Sequence, residues 1–221
     1  ADNNTKIIFV CSPNNPTANL MSRSRILQLC TDYAETALVV VDETYVEFAD
    51  SESLIPCLDT HANLVILRTL SKSHAAAGLR CGVAVSRSDV TKLLQKVLAP
   101  YPLAQPSVDA ALTIFSAKSQ SILAAKRRDI IIRRDQVAAA LAVCSDIVEV
   151  LPSDANYLLV RVKDAADLCE KCRTSGIILR NQSHQPGLKN TVRVSIGSDE
   201  DMQAFIGVVK GEVVWRRTDQ R

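Results

Sequence analysis

The chain has 221 residues, of which 47% are hydrophobic and 23% are charged, and its formal net charge at pH 7 is +2. This length suffices for one large domain or two small ones, and the composition excludes a disordered, collagen-like or coiled-coil protein. Neither the net charge nor any apolar run favours a nucleic-acid or membrane partner, because a membrane span needs ~18 apolar residues. The first residues lack an initiator Met and a secretory signal and lead directly into a predicted strand, as expected of a processed, cloned or cut chain.

Short β-rich segments alternate with helical ones in the first half of the chain, which indicates an α/β architecture. The strands are apolar on both faces, so we expect a central, mostly parallel sheet covered by helices. Ser22 is the predicted N-cap of the first helix. The predicted elements are strand 6–11, helix 23–35, strand 38–41, strand 64–67, strand 82–85, helix 89–98 and helix 107–117.

The pattern changes after residue 117, where a long helix predicted over 121–143 leads into a smaller α+β unit. We therefore expect two domains, 1–117 and 118–221. The elements predicted in the second domain, after its long helix, are strand 148–151, strand 156–162, helix 165–175, strand 177–180, strand 191–196 and helix 199–212.

Seven cysteines are scattered through apolar segments, an odd number that fits reduced, buried thiols in a cytoplasmic protein. Cys169 and Cys172 have CxxC spacing, but no second pair and no neighbouring His completes a zinc site. The pair also lies inside a helical pattern, whereas a redox motif lies at a strand-to-helix turn. We expect neither a metal site nor a redox motif.

A local basic cluster lies in the long predicted helix and alternates with isoleucines at roughly helical spacing. Its members have no aromatic residues between them, so a solvated helix face is favoured over a nucleic-acid patch. The cluster comprises Lys126, Arg127, Arg128, Arg133 and Arg134.

Three polar residues follow predicted strands: Asn15, Asp42 and Lys72. In open α/β sheets, ligands bind beyond the carboxyl ends of the strands, so one site could include all three. A lysine is almost never buried without a partner. Spacing alone therefore leaves Lys72 as an exposed loop lysine or as a functional amine.

Three motifs occur in order along the chain: SPNNPT at 12–17, DETY at 42–45 and S-K-x-x-x-x-x-G-x-R at 71–80. Together they resemble the PNNPTG loop, the D-x-x-Y strand end and the Schiff-base segment of fold-type I aminotransferases. The resemblance covers nearly the entire chain. It implies a fold-type I transferase with part of the large domain, a smaller C-terminal α+β domain and pyridoxal 5'-phosphate as cofactor.

The resemblance also implies roles for single residues. Lys72 would be the Schiff-base lysine and proton shuttle, and Asp42 would face the pyridine nitrogen so that the ring acts as an electron sink. Tyr45 and Asn15 would hydrogen-bond the phenolic oxygen of the cofactor. A phosphate suits a hydroxyl and a guanidinium, the roles implied for Ser71 and Arg80. Taken singly, each residue has an ordinary interpretation as a turn former, a capping acid or a surface charge.

Three later segments resemble the histidinol-phosphate aminotransferase subfamily: APYPL at 99–103, the Ala155-Asn156-Tyr157 triplet, and GIILRNQ at 176–182. The resemblance implies that Arg193 binds a substrate carboxylate, that Arg180 binds the substrate phosphate and that Asn156 contacts substrate. A plain surface-strand position remains open for Arg180.

The activity implied is exchange of an amino group between L-histidinol phosphate and 2-oxoglutarate or glutamate, by a cytoplasmic homodimer of histidine biosynthesis. Two alternatives stay open: a threonine-phosphate decarboxylase, which resembles this subfamily, and a catalytically silent fragment. The second arises because the family's N-terminal portion supplies a stacking ring and phosphate-binding amides that this sequence lacks.

Two residues depart from the pattern. Ala18 stands where the family has Gly, and a residue without free access to positive φ could shift the loop. His74 stands where an aromatic or apolar residue is usual, and we expect it to be a packed or hydrogen-bonded neighbour of the site rather than a catalyst.

Overall fold

The computed structural model describes residue 2 and residues 4–212. Besides the regular helices and strands there are 3-10 turns at Val46–Phe48, Ile55–Asp59 and Ala77–Leu79. The regular elements are β1 (Ile7–Cys11), α1 (Arg23–Asp32), β2 (Leu38–Asp42), β3 (Leu64–Thr69), β4 (Gly82–Ser86), α2 (Ser88–Val97), α3 (Gln105–Ile114), α4 (Ala117–Ala142), β5 (Ile147–Val150), β6 (Tyr157–Val162), α5 (Ala165–Thr174), β7 (Arg180–Asn181), β8 (Thr191–Ser195) and α6 (Asp199–Lys210).

The chain divides into two compact units. The first contains the residues up to Asn15 and Asn19–Arg127, and the second contains Pro16–Ala18 and the residues from Arg128 on. This division falls inside α4, downstream of the boundary expected between residues 117 and 118. The expected pair of domains, 1–117 and 118–221, stays a prediction.

The first unit is built on a four-stranded sheet with the order β1-β2-β3-β4. β1, β2 and β3 are parallel, and only β4 runs antiparallel to its neighbour. The predicted mostly parallel α/β sheet is confirmed. Because β1, β2 and β3 run the same way, the residues that follow Cys11, Asp42 and Thr69 emerge at one edge of the sheet.

One face of this sheet is buried against α1 and the turn Ile55–Asp59, in a cluster that includes Val41, Ile66 and Ile26. Ser22 caps α1 as predicted, since its hydroxyl accepts a hydrogen bond from the Arg25 N–H at 3.4 Å. The other face buries Val40 and Val65 against α2.

The expectation that all four strands are covered on both faces is wrong for β1 and β4. Ile7 and Phe9 are 50% and 69% exposed, and Val83 is 46% exposed. The reason is that the cluster under α2 is formed by residues of β2 and β3 alone.

The second unit contains an antiparallel sheet with the order β5-β6-β8-β7. One face packs on α4, α5 and α6 through a core that includes Leu158, Val194, Leu141, Cys172 and Phe205. The strand predicted at 177–180 is wrong over its first three residues, because the strand starts only at Arg180.

The solvated face predicted for the basic cluster of α4 is confirmed for Lys126 and Arg128, which are exposed, and is wrong for Arg133 and Arg134. Arg133 donates from Nε to Asp199 Oδ1 at 2.5 Å and from Nη1 to the Gly197 carbonyl at 3.1 Å. Arg134 is only 9% exposed and donates to the Ala155 carbonyl at 3.1 Å. These arginines therefore fasten α4 to the loops that flank β6 and α6.

Cys169 and Cys172 lie on α5, inside a helix as predicted. Burial raises the pKa of the Cys172 thiol to about 12 and also raises the pKa of Cys169. Redox-active dithiols have lowered pKa values, so this pair lacks their electrostatic character. Within residues 4–212, no helix combines the length and apolarity that crossing a membrane requires.

Candidate active site

The carboxyl edge of the first sheet carries most of the residues proposed for cofactor binding. Asp42 is the last residue of β2, and Ser71 and Lys72 lie two and three residues after the end of β3. The Lys72 ammonium lies 6.0 Å from the centre of the Tyr45 ring, and its side chain is exposed. Tyr45 itself is only 6% exposed. The structure thus brings the amine and the phenol together, beside the strand end that carries Asp42.

The Asp42 carboxylate is oriented by Thr44. Its Oδ1 accepts a hydrogen bond from the Thr44 N–H at 2.9 Å and another from the Thr44 hydroxyl at 2.5 Å. The Asp42 carbonyl accepts from the Ser12 N–H at 3.0 Å, which ties the end of β2 to the loop after β1. Cys11 is the neighbour of Asp42 across the strands, and burial together with the Asp42 charge raises the pKa of its thiol.

A buried acid that the sequence reading missed supports the same turn. Glu43 is 2% exposed, and its carboxylate accepts from the Leu54 N–H at 2.7 Å and the Ser53 hydroxyl at 2.6 Å. Arg68 of β3 lies 3.3 Å from Glu43 and also pairs with Glu47. The sequence carries one signal of this pair: Glu43 and Arg68 are charged residues at the ends of two apolar strands. A charge that is buried at such a position requires a partner.

The segment between β3 and β4 is shaped by its own hydrogen bonds. The Ser71 N–H donates to Thr69 Oγ1 at 3.1 Å, and the two hydroxyls lie 2.9 Å apart. Arg80 has a φ of 51° and donates to the Ala77 carbonyl at 3.1 Å, with its side chain exposed. Ser71 and Arg80 are therefore both ordered by local contacts of this loop.

His74 is a packed neighbour of the site, as predicted. Its Nδ1 lies 2.9 Å from the Ser73 hydroxyl, and its ring centre lies 5.7 Å from that of Phe115. Burial lowers the pKa of His74, and the nearby Glu47 carboxylate opposes that shift.

The PNNPT loop keeps a left-handed residue at the position where the family pattern has Gly. Ala18 has a φ of 61° and is completely buried. The Asn14 N–H donates to the Asn19 carbonyl at 2.9 Å, which closes the loop, while Asn15 is exposed. A left-handed non-Gly residue costs about 1 kcal/mol or more, so the loop keeps its shape under strain.

Arg180 and Arg193 come together in the second unit. They are directly opposite each other on β7 and β8, on the face of the sheet that points away from the helices. The Arg193 guanidinium lies over the Tyr157 ring, 5.1 Å from its centre. Asn156 immediately precedes β6, and its carbonyl accepts from the Ile196 N–H at 3.0 Å. Like charges directly opposite disfavour strand pairing, whereas two guanidinium forks suit anionic groups.

Amine, carboxylate, phenol and hydroxyl at the ends of parallel strands are typical of an α/β enzyme that binds its ligand at the sheet edge. The family described as aminotransferase class I and II matches residues 1–209. The chain belongs to this family.

Relatives and solved structures cover the chain almost completely. It is 41% identical over 206 residues to a histidinol-phosphate aminotransferase of Pectobacterium carotovorum, a match that covers 93% of this chain and 58% of the relative. The L-threonine-O-3-phosphate decarboxylase structure from Porphyromonas gingivalis has a TM-score of 0.82 at 26% identity, with 93% of this chain and 64% of that chain covered. The histidinol-phosphate aminotransferase from Sinorhizobium meliloti, in complex with pyridoxal-5'-phosphate, has a TM-score of 0.83 at 23% identity, with 93% and 57% covered. The chain thus spans somewhat more than half the length of these proteins.

Proposed function

We propose that this chain serves the pyridoxal-phosphate-dependent exchange of an amino group between L-histidinol phosphate and 2-oxoglutarate or glutamate, a step of histidine biosynthesis. The observation that carries the proposal is the position of Arg180 opposite Arg193 in a member of the aminotransferase family. The identity of 41% to a histidinol-phosphate aminotransferase supports the same substrate.

The donor set of the first unit fits pyridoxal phosphate. Lys72 offers an amine for the aldehyde, Asp42 a carboxylate for the ring nitrogen and Tyr45 a phenol for the ring oxygen, which Asn15 also binds in this proposal. Ser71 and Arg80 offer a hydroxyl and a cationic fork for the phosphate. When bound, the cofactor supplies the electron sink that the reaction at the substrate Cα needs.

The residues of the chain then have separate tasks. Lys72 Nζ would be the base that takes the proton from the substrate Cα and holds it for return, and this amine lies 6.0 Å from the centre of the Tyr45 ring. The Asp42 carboxylate would hold a proton on the ring nitrogen of the cofactor, because a charge-assisted contact is stronger than a neutral hydrogen bond.

The paired arginines of the second unit suit the two different substrates of the proposed exchange. Histidinol phosphate has a phosphate and no carboxylate, whereas glutamate has carboxylates and no phosphate. In the proposal Arg180 binds the phosphate, Arg193 binds the carboxylate of glutamate, and Asn156 contacts the substrate. Arg193 is held against the Tyr157 ring, which limits its rotation.

Covalent trapping tests the cofactor assignment. The chain is incubated with pyridoxal phosphate, reduced with borohydride and digested, and the mass added by the reduced cofactor is mapped. We expect it on Lys72, and we expect Lys72→Ala to abolish it. Lys118→Ala, a change of an exposed lysine on α4, is the matched control and leaves labelling intact. Labelling that survives in Lys72→Ala contradicts the lysine assignment.

Turnover separates the proposed reaction from its two rivals. Consumption of histidinol phosphate that requires 2-oxoglutarate supports the exchange. Release of carbon dioxide from threonine phosphate favours a decarboxylase, a candidate because such an enzyme has the same fold at 26% identity. Cofactor uptake without either reaction favours a silent fragment.

The proposal also includes a homodimer and a cytoplasmic location, which rest on the resemblance to the family. Sedimentation equilibrium of the purified protein tests the first, with a mass of two chains as the expected result. Fractionation of cells that express it tests the second.

A further inference from the structure

The Asp42 carboxylate is held asymmetrically. Oδ1 accepts two hydrogen bonds, both from Thr44, while no residue among those described donates to Oδ2. The backbone bond is available to any residue at position 44. The 2.5 Å bond from the hydroxyl is available only to Thr or Ser, because it needs a side-chain donor on Cβ.

The surroundings of this carboxylate are themselves fixed. The Asp42 carbonyl accepts from Ser12, and the next residue, Glu43, is anchored by the Leu54 N–H and the Ser53 hydroxyl. The backbone at Asp42 is therefore set by its neighbours, and the remaining freedom of its side chain is rotation about χ1 and rotation of the carboxylate group. A second bond to Oδ1 restricts that rotation, because both donors sit on one side of the group.

We propose that Thr44 is a positioning residue, which holds Oδ1 of Asp42 so that Oδ2 is the oxygen that receives the ring N–H of the cofactor. This inference rests on the proposed function. The hydroxyl acts through Asp42 and touches neither cofactor nor substrate. A carboxylate already oriented for the ring nitrogen loses little rotational freedom when the cofactor binds, so the contact is strengthened without a new direct bond.

Two substitutions separate the hydroxyl from the shape of the side chain. Thr44→Val keeps the β-branched shape and removes the donor, and Thr44→Ser keeps the donor. We expect Thr44→Val to weaken pyridoxal phosphate binding by about tenfold, which corresponds to about 1.4 kcal/mol. We expect Thr44→Ser to bind within about twofold of the wild type, since its hydroxyl makes the same bond.

The direct readout is the ring nitrogen. Pyridoxal phosphate labelled with 15N in the ring is bound to each variant, and its 15N chemical shift is followed with pH. A well-placed carboxylate favours the protonated ring and raises the pKa of the ring nitrogen. Thr44→Val should therefore lose the ring proton at a lower pH than the wild type, and Thr44→Ser should restore the wild-type midpoint.

Controls distinguish a positioning role from a structural one. Thr31→Val removes a hydroxyl that donates only to the Leu27 carbonyl on α1, and it should change neither binding nor the ring midpoint. Circular dichroism establishes whether each variant folds. If Thr44→Val does not fold, Thr44→Ala replaces it as the variant without the hydroxyl. A ring midpoint unchanged in the hydroxyl-free variant overturns the inference, even if its thermal stability falls. A wild type that takes up no cofactor on Lys72 overturns the proposed function, and the inference falls with it.

Discussion

Arg180 faces Arg193 directly across the β7–β8 ladder, so two guanidinium groups occupy one pair of cross-strand positions. Opposed like charges in a sheet reduce its stability, usually by a few tenths of a kcal/mol to about 1 kcal/mol. A protein that retains such a pair keeps it at the expense of stability, which is characteristic of a binding site for anions.

Replacing one member of this pair should stabilise the free protein and weaken its response to anions. We expect Arg180→Met to raise the free energy of unfolding by up to about 1 kcal/mol, because it removes the repulsion. The rise in Tm that inorganic phosphate produces at constant ionic strength should become smaller. Both quantities can be read from thermal unfolding in phosphate and in chloride.

Arg161→Met is the matched control, because Arg161 lies on β6 in the same sheet but pairs with Glu149 at 3.5 Å and donates to the Lys189 carbonyl at 2.8 Å. Arg161→Met should lower the stability of the protein slightly and leave the rise in Tm produced by phosphate unchanged. If both variants lose the phosphate effect equally, the anion is not held by the arginine pair.

Glu43 should be among the most sensitive positions of the first unit. Glu43→Ala removes the acceptor of two hydrogen bonds and the partner of Arg68, and breaking a buried ion pair costs about 3–5 kcal/mol. Urea unfolding measures this loss. Glu35→Ala, at an exposed position, should change the free energy of unfolding by less than about 0.5 kcal/mol. Equal effects of the two substitutions would contradict the assigned role of Glu43.

His74 should make stability depend on pH just below neutrality. Its pKa in the folded protein is lowered from the ordinary value of 6.5, chiefly by burial, so the unfolded chain binds a proton first as pH falls. The contribution of neutral His74 to stability is therefore complete above pH 6.5 and is lost as pH falls through the folded-state pKa. Thermal unfolding is measured from about pH 7.5 to about pH 5. The Tm of His74→Phe should depend less steeply on pH than the Tm of the wild type. Parallel curves for the two proteins would exclude His74 as the source.

Ala18 should tolerate Gly far better than a β-branched residue. Ala18→Val puts a branched Cβ into a left-handed backbone at a completely buried position, and we expect a loss of more than about 2 kcal/mol. Ala18→Gly relieves strain but loses a buried methyl and adds freedom to the unfolded chain, so its net effect should stay within about 1 kcal/mol. Urea unfolding measures the free energy of unfolding of both variants. A loss in Ala18→Val as small as that in Ala18→Gly would refute the prediction.

The sequence was most informative where local pattern and tertiary role coincide. The apolar runs around Val41 and Ile66 predicted buried strands because both faces of β2 and β3 are packed, and Ser22 predicted a helix start because capping is a local interaction. The position of Asp42 at a strand end followed from the same reasoning.

Features that depend on distant parts of the chain could not be predicted in this way. The burial of Glu43 depends on Leu54 and Ser53, and that of Arg134 on the Ala155 carbonyl, and no periodicity reports such contacts. The pairing of Arg180 with Arg193 likewise required the strand register. The motifs identified each arginine singly but not the fact that they are neighbours.

The side chains of Asp42 and Lys72 depend differently on insertions and deletions in the chain near them. Asp42 belongs to β2 itself, so its direction is set by the alternation of the strand, whereas Lys72 lies in the segment after β3. Loss of one residue within β2 would slip its register and turn the carboxylate towards the face that packs on α1. Length changes in the loop after β3 would move the amine by a smaller step. Around this acid, we therefore expect the protein to accept insertions and deletions only at positions outside the strand.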